Sequence, residues 1–421
     1  MRYCGCMKHW LMSWQNQYRK QAAPVKLLTV LFALAVLLGI WARLYKLGSP
    51  DKIIFDEVYF PVFAWNYLHH IQSFDAHPPL GKFIIALPLW LFGNTSFAWR
   101  LMPALFGITF IPLAGYTWWR YQKDRVGALI FMIIVALEGL LITYSRTGLM
   151  DGVLLFFVLL TFLLSLSATT TKRLFFLATC LGLAIAIKWV ALGVIIPVAY
   201  IMIRNQVRNR AFLAVILWAG FVYLFIIYLG NLIGRVEHPF NYIWQWQYEA
   251  FNYHWDLKAT HPWGSKWWSW PFMLRPVLFS YDTNSRGEAL VISAIGNPII
   301  WWSSTVAVLF GLRELILERF LFKKSIIDHP LAPLLLGYAS FLLPWIGIAR
   351  VQFIYHYLSA YGFALLTLTY FLSRIWKKYP WLVIGYLVIV LAITIFYLPM
   401  QINWPMTQQW LHYRLWLKSW L

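Results

Sequence analysis

Apolar runs of about 20 residues recur from one end of this 421-residue chain to the other, and nothing limits its fold more. A helix of that length crosses roughly 30 Å of hydrocarbon. Backbone in lipid must also satisfy its own hydrogen bonds, so a bundle of membrane-crossing helices follows. The composition agrees, with 61% hydrophobic and only 12% charged residues, against roughly 25% charged in soluble domains. The short alternating segments of a membrane β-barrel are not seen. The runs place about eleven spans, near 26–46, 97–119, 126–145, 149–168, 173–187, 189–203, 211–233, 290–312, 331–349, 353–373 and 381–399. An odd number puts the two ends on opposite sides. The segment 80–93 is short, carries Pro88, and reads as a re-entrant or interfacial helix.

The formal charge of +20 suggests nucleic acid at first sight. The bases form no long cluster that could track phosphates, and instead sit in short groups between apolar runs. With the N-terminus inside, every inside segment is basic, from Arg19 and Lys20 through Arg120, Lys123 and Arg125 to Arg374, Lys377 and Lys378. These segments hold about 20 of the 35 Lys and Arg residues, as the positive-inside rule requires. Residues 1–25 lack the short apolar core and cleavage site of a signal peptide, and Trp10, Leu11 and Trp14 among bases fit a tail on the membrane surface. Cys4, Cys6 and Cys180 show neither disulfide nor metal-ligand spacing. The chain thus reads as one integral membrane domain over 1–421. Two long extracytoplasmic loops, 47–96 and 234–289, and a tail at 400–421 lie outside, none large enough to fold alone.

The scarce acids gather in the first outer loop. "IIFDEVYFPVFAWNYLHHIQSFDAHPPLGKF" holds Asp56, Glu57, Asp75, His77 and Lys82 within residues 53–83. Acids at a helix start are stabilised by its dipole, so a capping pair is the plain reading of Asp56-Glu57. "DAHPP" weakens it, because two prolines bar ordinary helix and hold Asp75 and His77 rigidly at a membrane boundary. Arg100, Arg146, Asp151, Lys188 and Arg350 lie at span edges threaded to the same outer side. Ionisable groups there are costly and tend to pair or to serve function, although long side chains can also snorkel to the interface. Glu138, inside the third span, is expected to hydrogen-bond between helices. The loop 234–289 is dense in Trp, which an aromatic belt explains, and in polar residues such as His254 and His261, whose spacing does not make a metal site.

At these residues the sequence resembles the protein O-mannosyltransferases, polytopic enzymes of the GT-C fold. The likeness rests on eight ordered blocks: "FDEVYFPVFAWNYL", "FDAHPPLGK", "WRLMPALFG", "GLMDGVLLFF", "IAIKWVALG", "HPWGSKWWSWP", "GNPIIWW" and "RVQFIYHYLSAYGFAL". They cover about residues 40–370. The family's acidic pair falls on Asp56 and Glu57, and its "HPPL" block on His77 to Leu80. The resemblance implies transfer of mannose, or a similar hexose, from a polyprenyl phosphate to Ser or Thr hydroxyls outside a bacterial cytoplasmic membrane. The loop 234–289 is too short for the β-trefoil MIR domain of eukaryotic members, so the chain resembles a compact bacterial form. GT-C relatives that glycosylate lipids leave the acceptor class open.

Chemistry fits that reading. An acceptor hydroxyl of high pKa needs a base as the new bond forms, and Asp56 is the better candidate, with Glu57 orienting the acceptor or sharing the role. The departing lipid phosphate needs positive charge, from Arg350 and from Arg100 or Lys188. His77, Asp75, Arg146, Asp151 and His356 complete the expected substrate-binding set. No metal ligands and no cofactor are expected, with a divalent cation left open. The expected partners are the lipid-linked donor, an acceptor protein or lipid, and membrane lipid. The rival from another class is a transporter, which should show inverted repeats and helices broken near the midplane; no clear repeat is visible.

Overall fold

The computed structural model describes residues 3–420, with side chains from residue 22 onward, so the surface-lying tail expected before residue 25 falls largely outside the described side chains. In chain order the helices are α1 (Tyr3–Leu44), α2 (Phe60–Leu68), α3 (Leu80–Phe92), α4 (Ser96–Gln122), α5 (Arg125–Leu137), α6 (Gly139–Tyr144), α7 (Asp151–Ser165) and α8 (Thr171–Ile185). They continue with α9 (Ile195–Arg204), α10 (Asn209–Ile233), α11 (Tyr242–Asp256), α12 (Pro298–Ile316), α13 (Leu331–Leu342), α14 (Leu358–Trp376), α15 (Pro380–Tyr397) and α16 (Gln408–Arg414). Among the described residues, six stretches are long and apolar enough to cross a membrane: 22–44, 96–122, 209–233, 298–321, 354–376 and 380–400. Shorter apolar helices, including α3, α5 and α7, pack among them. The protein is an integral, multi-pass membrane protein.

Burial ranks the helices. The apolar window around α14 is 78% buried, against 22% for that in α10, so α14 is the central post and α10 lies at the periphery. The two ends of the bundle are segregated as the basic pattern requires. Tyr121 donates to the Pro330 carbonyl, Tyr200 to Ile326, and Arg374 pairs with Glu314, all residues threaded inside. At the other end Lys52 pairs with Asp282 and Asn403 donates to Ser49, all threaded outside.

Two expected spans differ in form. The run 290–312 starts as a strand: β1 (Leu278–Thr283) and β2 (Ala289–Ser293) make an antiparallel hairpin, and the helix begins only at Pro298. Val291 and Ile292 suit a pleated strand. Asn297 then caps α12 by accepting from the Ile299 and Ile300 amides, with Pro298 in the first turn. The otherwise helical fold therefore carries one small sheet, which also pairs Ala289 with Met406 of the C-terminal segment.

The run 126–145 breaks at Glu138, between α5 and α6. A break inside a bundle orphans carbonyls on one side and amides on the other, and both are met. Glu138 accepts from the Leu140 amide at 2.5 Å, and also from the Asn297 amide and the Tyr361 hydroxyl. Arg43 of α1 donates to the Val135 and Ala136 carbonyls at 3.0 Å. The approach of α1 depends on Gly39, where a Cβ would lie 2.7 Å from the Ala136 oxygen.

Candidate active site

Asp56 lies in a 3₁₀ turn, Phe55–Val58, just before α2. Phe55 holds a φ of 47°, in the left-handed region that non-glycine residues avoid. Its ring is stacked on Phe279 at 4.7 Å and meets Phe353 and Tyr355 edge-on, which pins the turn. Such outliers cost about 1–3 kcal/mol and persist where surrounding structure over-determines them.

Glu57, one residue on, turns the other way. It is 0% exposed and forms a bidentate pair with the equally buried Arg100, Nε to Oε1 and Nη2 to Oε2 both at 2.8 Å. The carboxylate also accepts from the Ile54 and Gly148 amides. Arg100 spends its remaining donors on the Leu47, Pro50 and Lys52 carbonyls. The pair thus latches the loop before Asp56 to the loop before Asp151. Every donor of Arg100 and both oxygens of Glu57, expected at the phosphate and the acceptor, are thus partnered within the protein. Arg146 donates to the Ala42 carbonyl at 2.6 Å, and its Nε has no partner.

Around Asp56 the fold gathers groups from distant segments. Asp151, at the head of α7, accepts from Lys188 through both oxygens at 2.9 Å. The Lys188 ammonium also lies 5.1 Å over Phe60 and 5.6 Å over Tyr355. Burial raises the Asp56 carboxyl to about 6; Lys188 opposes this, Asp151 adds to it, and Tyr355 and Arg350 oppose it. An aspartate poised there is mostly ionised at neutral pH yet still a usable proton acceptor.

Arg350 reaches the same cluster from the loop before α14 and is hydrogen-bonded to His254 Nδ1. A guanidinium can only donate, so His254 accepts through Nδ1 and carries its proton on Nε2, which donates to the Ala76 carbonyl at 3.1 Å. Burial, then Arg350, lowers His254 to about 4, so it is neutral. Arg350 Nε has no partner. This cation is held by a neutral ring and not by a carboxylate, so its charge is unspent.

His77 lies parallel to Phe60 at 5.9 Å and near His254 at 5.1 Å. Burial and then the charges of Lys188 and Lys82 hold it well below its ordinary pKa, hence neutral. Asp75 pairs with Lys82 at 2.5 Å and accepts from the His77 amide, bracing the proline corner and not meeting Asp56. His356 is packed against Trp345 and Tyr355 and accepts from the Phe353 amide, a capping role. Beyond Asp75 a cavity of about 210 Å³ opens between Tyr67, Asn231, Tyr242 and Trp246.

Of the ten residues expected at the site, Asp151 and Lys188 are paired with each other, their charges and that of Arg350 act on Asp56, and those of Lys188 and Arg350 act on both His77 and His356. Glu57 and Arg100 pair with each other, Asp75 pairs with Lys82, Arg146 donates to a carbonyl of α1, and His356 accepts from the Phe353 amide. Sequence reasoning gave no part to His254 or Tyr355. Tyr355 lies within the quoted "VQFIYHYL" block, whereas His254 is 96 residues from its partner and carries no local signal.

Comparison with known proteins places this geometry. Polyprenol-phosphate-mannose–protein mannosyltransferase of Mycobacterium tuberculosis is 24% identical, over 93% of this chain and 91% of its own. The protein of the same name from Corynebacterium glutamicum is 23% identical over 79% and 78%. Among solved structures, the Saccharomyces cerevisiae protein O-mannosyltransferase Pmt1–Pmt2 complex bound to the sugar donor superposes with a TM-score of 0.82 at 16% identity, covering 94% of this chain and 92% of that one. ArnT from Cupriavidus metallidurans bound to undecaprenyl phosphate gives 0.57 at 14% identity, covering 89% and 74%. These likenesses identify the GT-C fold. The family model described as the C-terminal four-transmembrane region of protein O-mannosyltransferase matches residues 239–420, and that of dolichyl-phosphate-mannose–protein mannosyltransferase matches 33–96 and 92–251. Because these matches run almost unbroken from residue 33 to residue 420, the chain belongs to the dolichyl-phosphate-mannose–protein mannosyltransferase family.

Proposed function

We propose that this protein transfers mannose from a polyprenyl-phosphate donor to Ser or Thr hydroxyls of proteins, with inversion at the anomeric carbon. The observation that carries the reading is the pairing of a raised carboxyl, Asp56, with a cation of unspent charge, Arg350, in one cluster. The acceptor oxygen bonds to the anomeric carbon as the bond from that carbon to the phosphate oxygen breaks. The electron pair leaves with the lipid phosphate, and the hydroxyl proton passes to Asp56. A β-linked donor then yields an α-mannoside. Arg350 and Lys188 offset the charge that grows on the departing phosphate. Membranes holding the protein, incubated with labelled polyprenyl-phosphate mannose, should place label in protein; label confined to lipid would overturn the acceptor class, and no transfer at all the reading itself.

Arg350→Ala should weaken donor binding and slow transfer. Arg350→Lys should restore it only in part, because a point charge lacks the two-pronged donor that fits phosphate oxygens. Unchanged kinetics in folded Arg350→Ala would remove this residue from the site.

The site lies on the extracytoplasmic face of a bacterial cytoplasmic membrane, in one integral membrane unit whose loops 47–96 and 234–289 carry the chemistry. The segregation of basic loops to the opposite end supports this orientation. In intact cells an impermeant thiol reagent should label Trp267→Cys and spare Lys377→Cys; the reverse pattern would invert the threading.

A further inference from the structure

We infer that α11 docks on the surface of the bilayer through one aromatic stripe, Trp244, Tyr248, Phe251 and Trp255, with lipid headgroups and upper acyl chains as its partner. These four rings follow the spacing of a single helix face. Each is at least 54% exposed, and Phe251 stacks on Trp255 at 5.8 Å. The residue before each belongs to a face turned inward: Ile243 and Ala250 are buried, Gln247 accepts from the Tyr223 hydroxyl, and His254 holds Arg350. The residue after each belongs to a polar face, made by Gln245, Glu249, Asn252 and Asp256. One residue is about 100° of helix turn, so the aromatic face lies between protein on one side and a water-seeking face on the other. Water gives no reason to align four exposed rings, whereas Trp and Tyr, apolar in body and polar at the tip, concentrate where hydrocarbon meets water.

The height of α11 makes the bilayer its occupant. α10 is long and apolar enough to cross the membrane and keeps Phe221, Phe225 and Leu232 exposed, a surface that an integral membrane protein gives to lipid. α11 is seated against α10 below its end: Ile227 packs with Ile243, Trp246 and Ala250, and the Tyr223 hydroxyl reaches Gln247 at 2.7 Å. At about 1.5 Å per residue, Ile227 and Tyr223 lie roughly 9 and 15 Å short of Ile233, the last residue of α10. The stripe therefore continues the apolar surface of the span at the depth of its last turns. The polar face carries Glu249 and Asp256 and α11 has no Lys or Arg, so burial of the rings supplies the binding and attraction to anionic headgroups does not. On the inward side, Trp246 donates to the Asp75 carbonyl at 2.9 Å and His254 to that of Ala76 at 3.1 Å. One helix thus separates lipid from the proline corner and Arg350, a distance of roughly 10 Å. Docking holds Arg350 at the level of a membrane-anchored phosphate, a consequence that rests on Arg350 meeting the donor.

The test is nitroxide accessibility in the full chain, reconstituted in phosphatidylcholine nanodiscs with Cys4→Ser and Cys6→Ser in the background. Cys180 is buried and stays. Labels at Tyr248→Cys and Trp255→Cys should collide more with oxygen, which concentrates in hydrocarbon, than with a water-soluble nickel chelate. Labels at Gln245→Cys and Asp256→Cys should do the reverse. A stripe label that favours the chelate stands in water and overturns the inference. One shielded from both is covered by protein, a second copy of the chain for example, and overturns it too. Neither donor nor acceptor is present, so this outcome is independent of whether the chain transfers mannose. Stripe labels that enter the bilayer only when anionic lipid is added would assign the docking to charge, and would overturn the aromatic account. Tyr248→Ser combined with Trp255→Ser should then raise KM for the lipid-linked donor several-fold and largely keep kcat; an unchanged KM would overturn the tie between the stripe and Arg350.

Discussion

Asp56→Asn should leave a folded protein that still binds donor and turns over about 10²–10⁴-fold more slowly, the usual contribution of a positioned base. Asparagine keeps the shape and much of the hydrogen bonding but cannot take a proton. In the parent, kcat/KM should rise with pH through about 6 and then level, because the carboxyl, raised by burial, must be ionised to act. In the variant that limb should vanish. The capping explanation of the acidic pair makes the opposite forecast, since Asn caps a helix about as well as Asp. Here the capping carboxylate is that of Glu57, which accepts from the Ile54 amide, so the structure frees Asp56 from that duty. Wild-type turnover in purified Asp56→Asn, with a defined acceptor peptide, would sink the assignment.

Glu57→Gln should fail differently. The carboxylate takes two bonds from Arg100 and one each from the Ile54 and Gly148 amides, and both side chains are fully buried. Glutamine offers one oxygen, and its amide hydrogens would face the donors of Arg100. Removing one partner of a buried ion pair costs about 3–5 kcal/mol, because the other charge is left uncompensated. Unfolding in mixed detergent micelles should therefore shift strongly, with the loop 47–52 becoming sensitive to protease first. Adding Arg100→Gln should recover part of the loss, because the stranded charge is then gone. A Glu57→Gln protein as stable as the parent, with normal donor binding and no turnover, would instead return Glu57 to the chemistry.

The two neighbours show what one dimension can and cannot say. In the sequence Asp56 and Glu57 are adjacent acids after the first span, and nothing local distinguishes base from latch. The difference is which way each side chain leaves the 3₁₀ turn, and Arg100, 43 residues along the chain, settles it. The same holds for Arg146 and Lys188, both bases at span edges. Arg146 ends on a carbonyl of α1, Lys188 on the carboxylate that faces Asp56.

What the sequence determined by itself was whatever depends on local composition and period. The length of the apolar runs dictates helices that cross lipid, and the grouping of bases sorts their ends. The prolines of "DAHPP" make a rigid corner, and eight ordered blocks name the family. Only the tertiary structure decided the partners of individual charges, the strand at 289–293 where an apolar run promised helix, and the break at Glu138. The physical reason is that these outcomes turn on long-range partners. A buried ion is tolerable only where another chain segment neutralises it, and a broken helix only where another segment meets its orphaned groups. Arg43 and Asn297, which meet the break at Glu138, lie 95 and 159 residues from it.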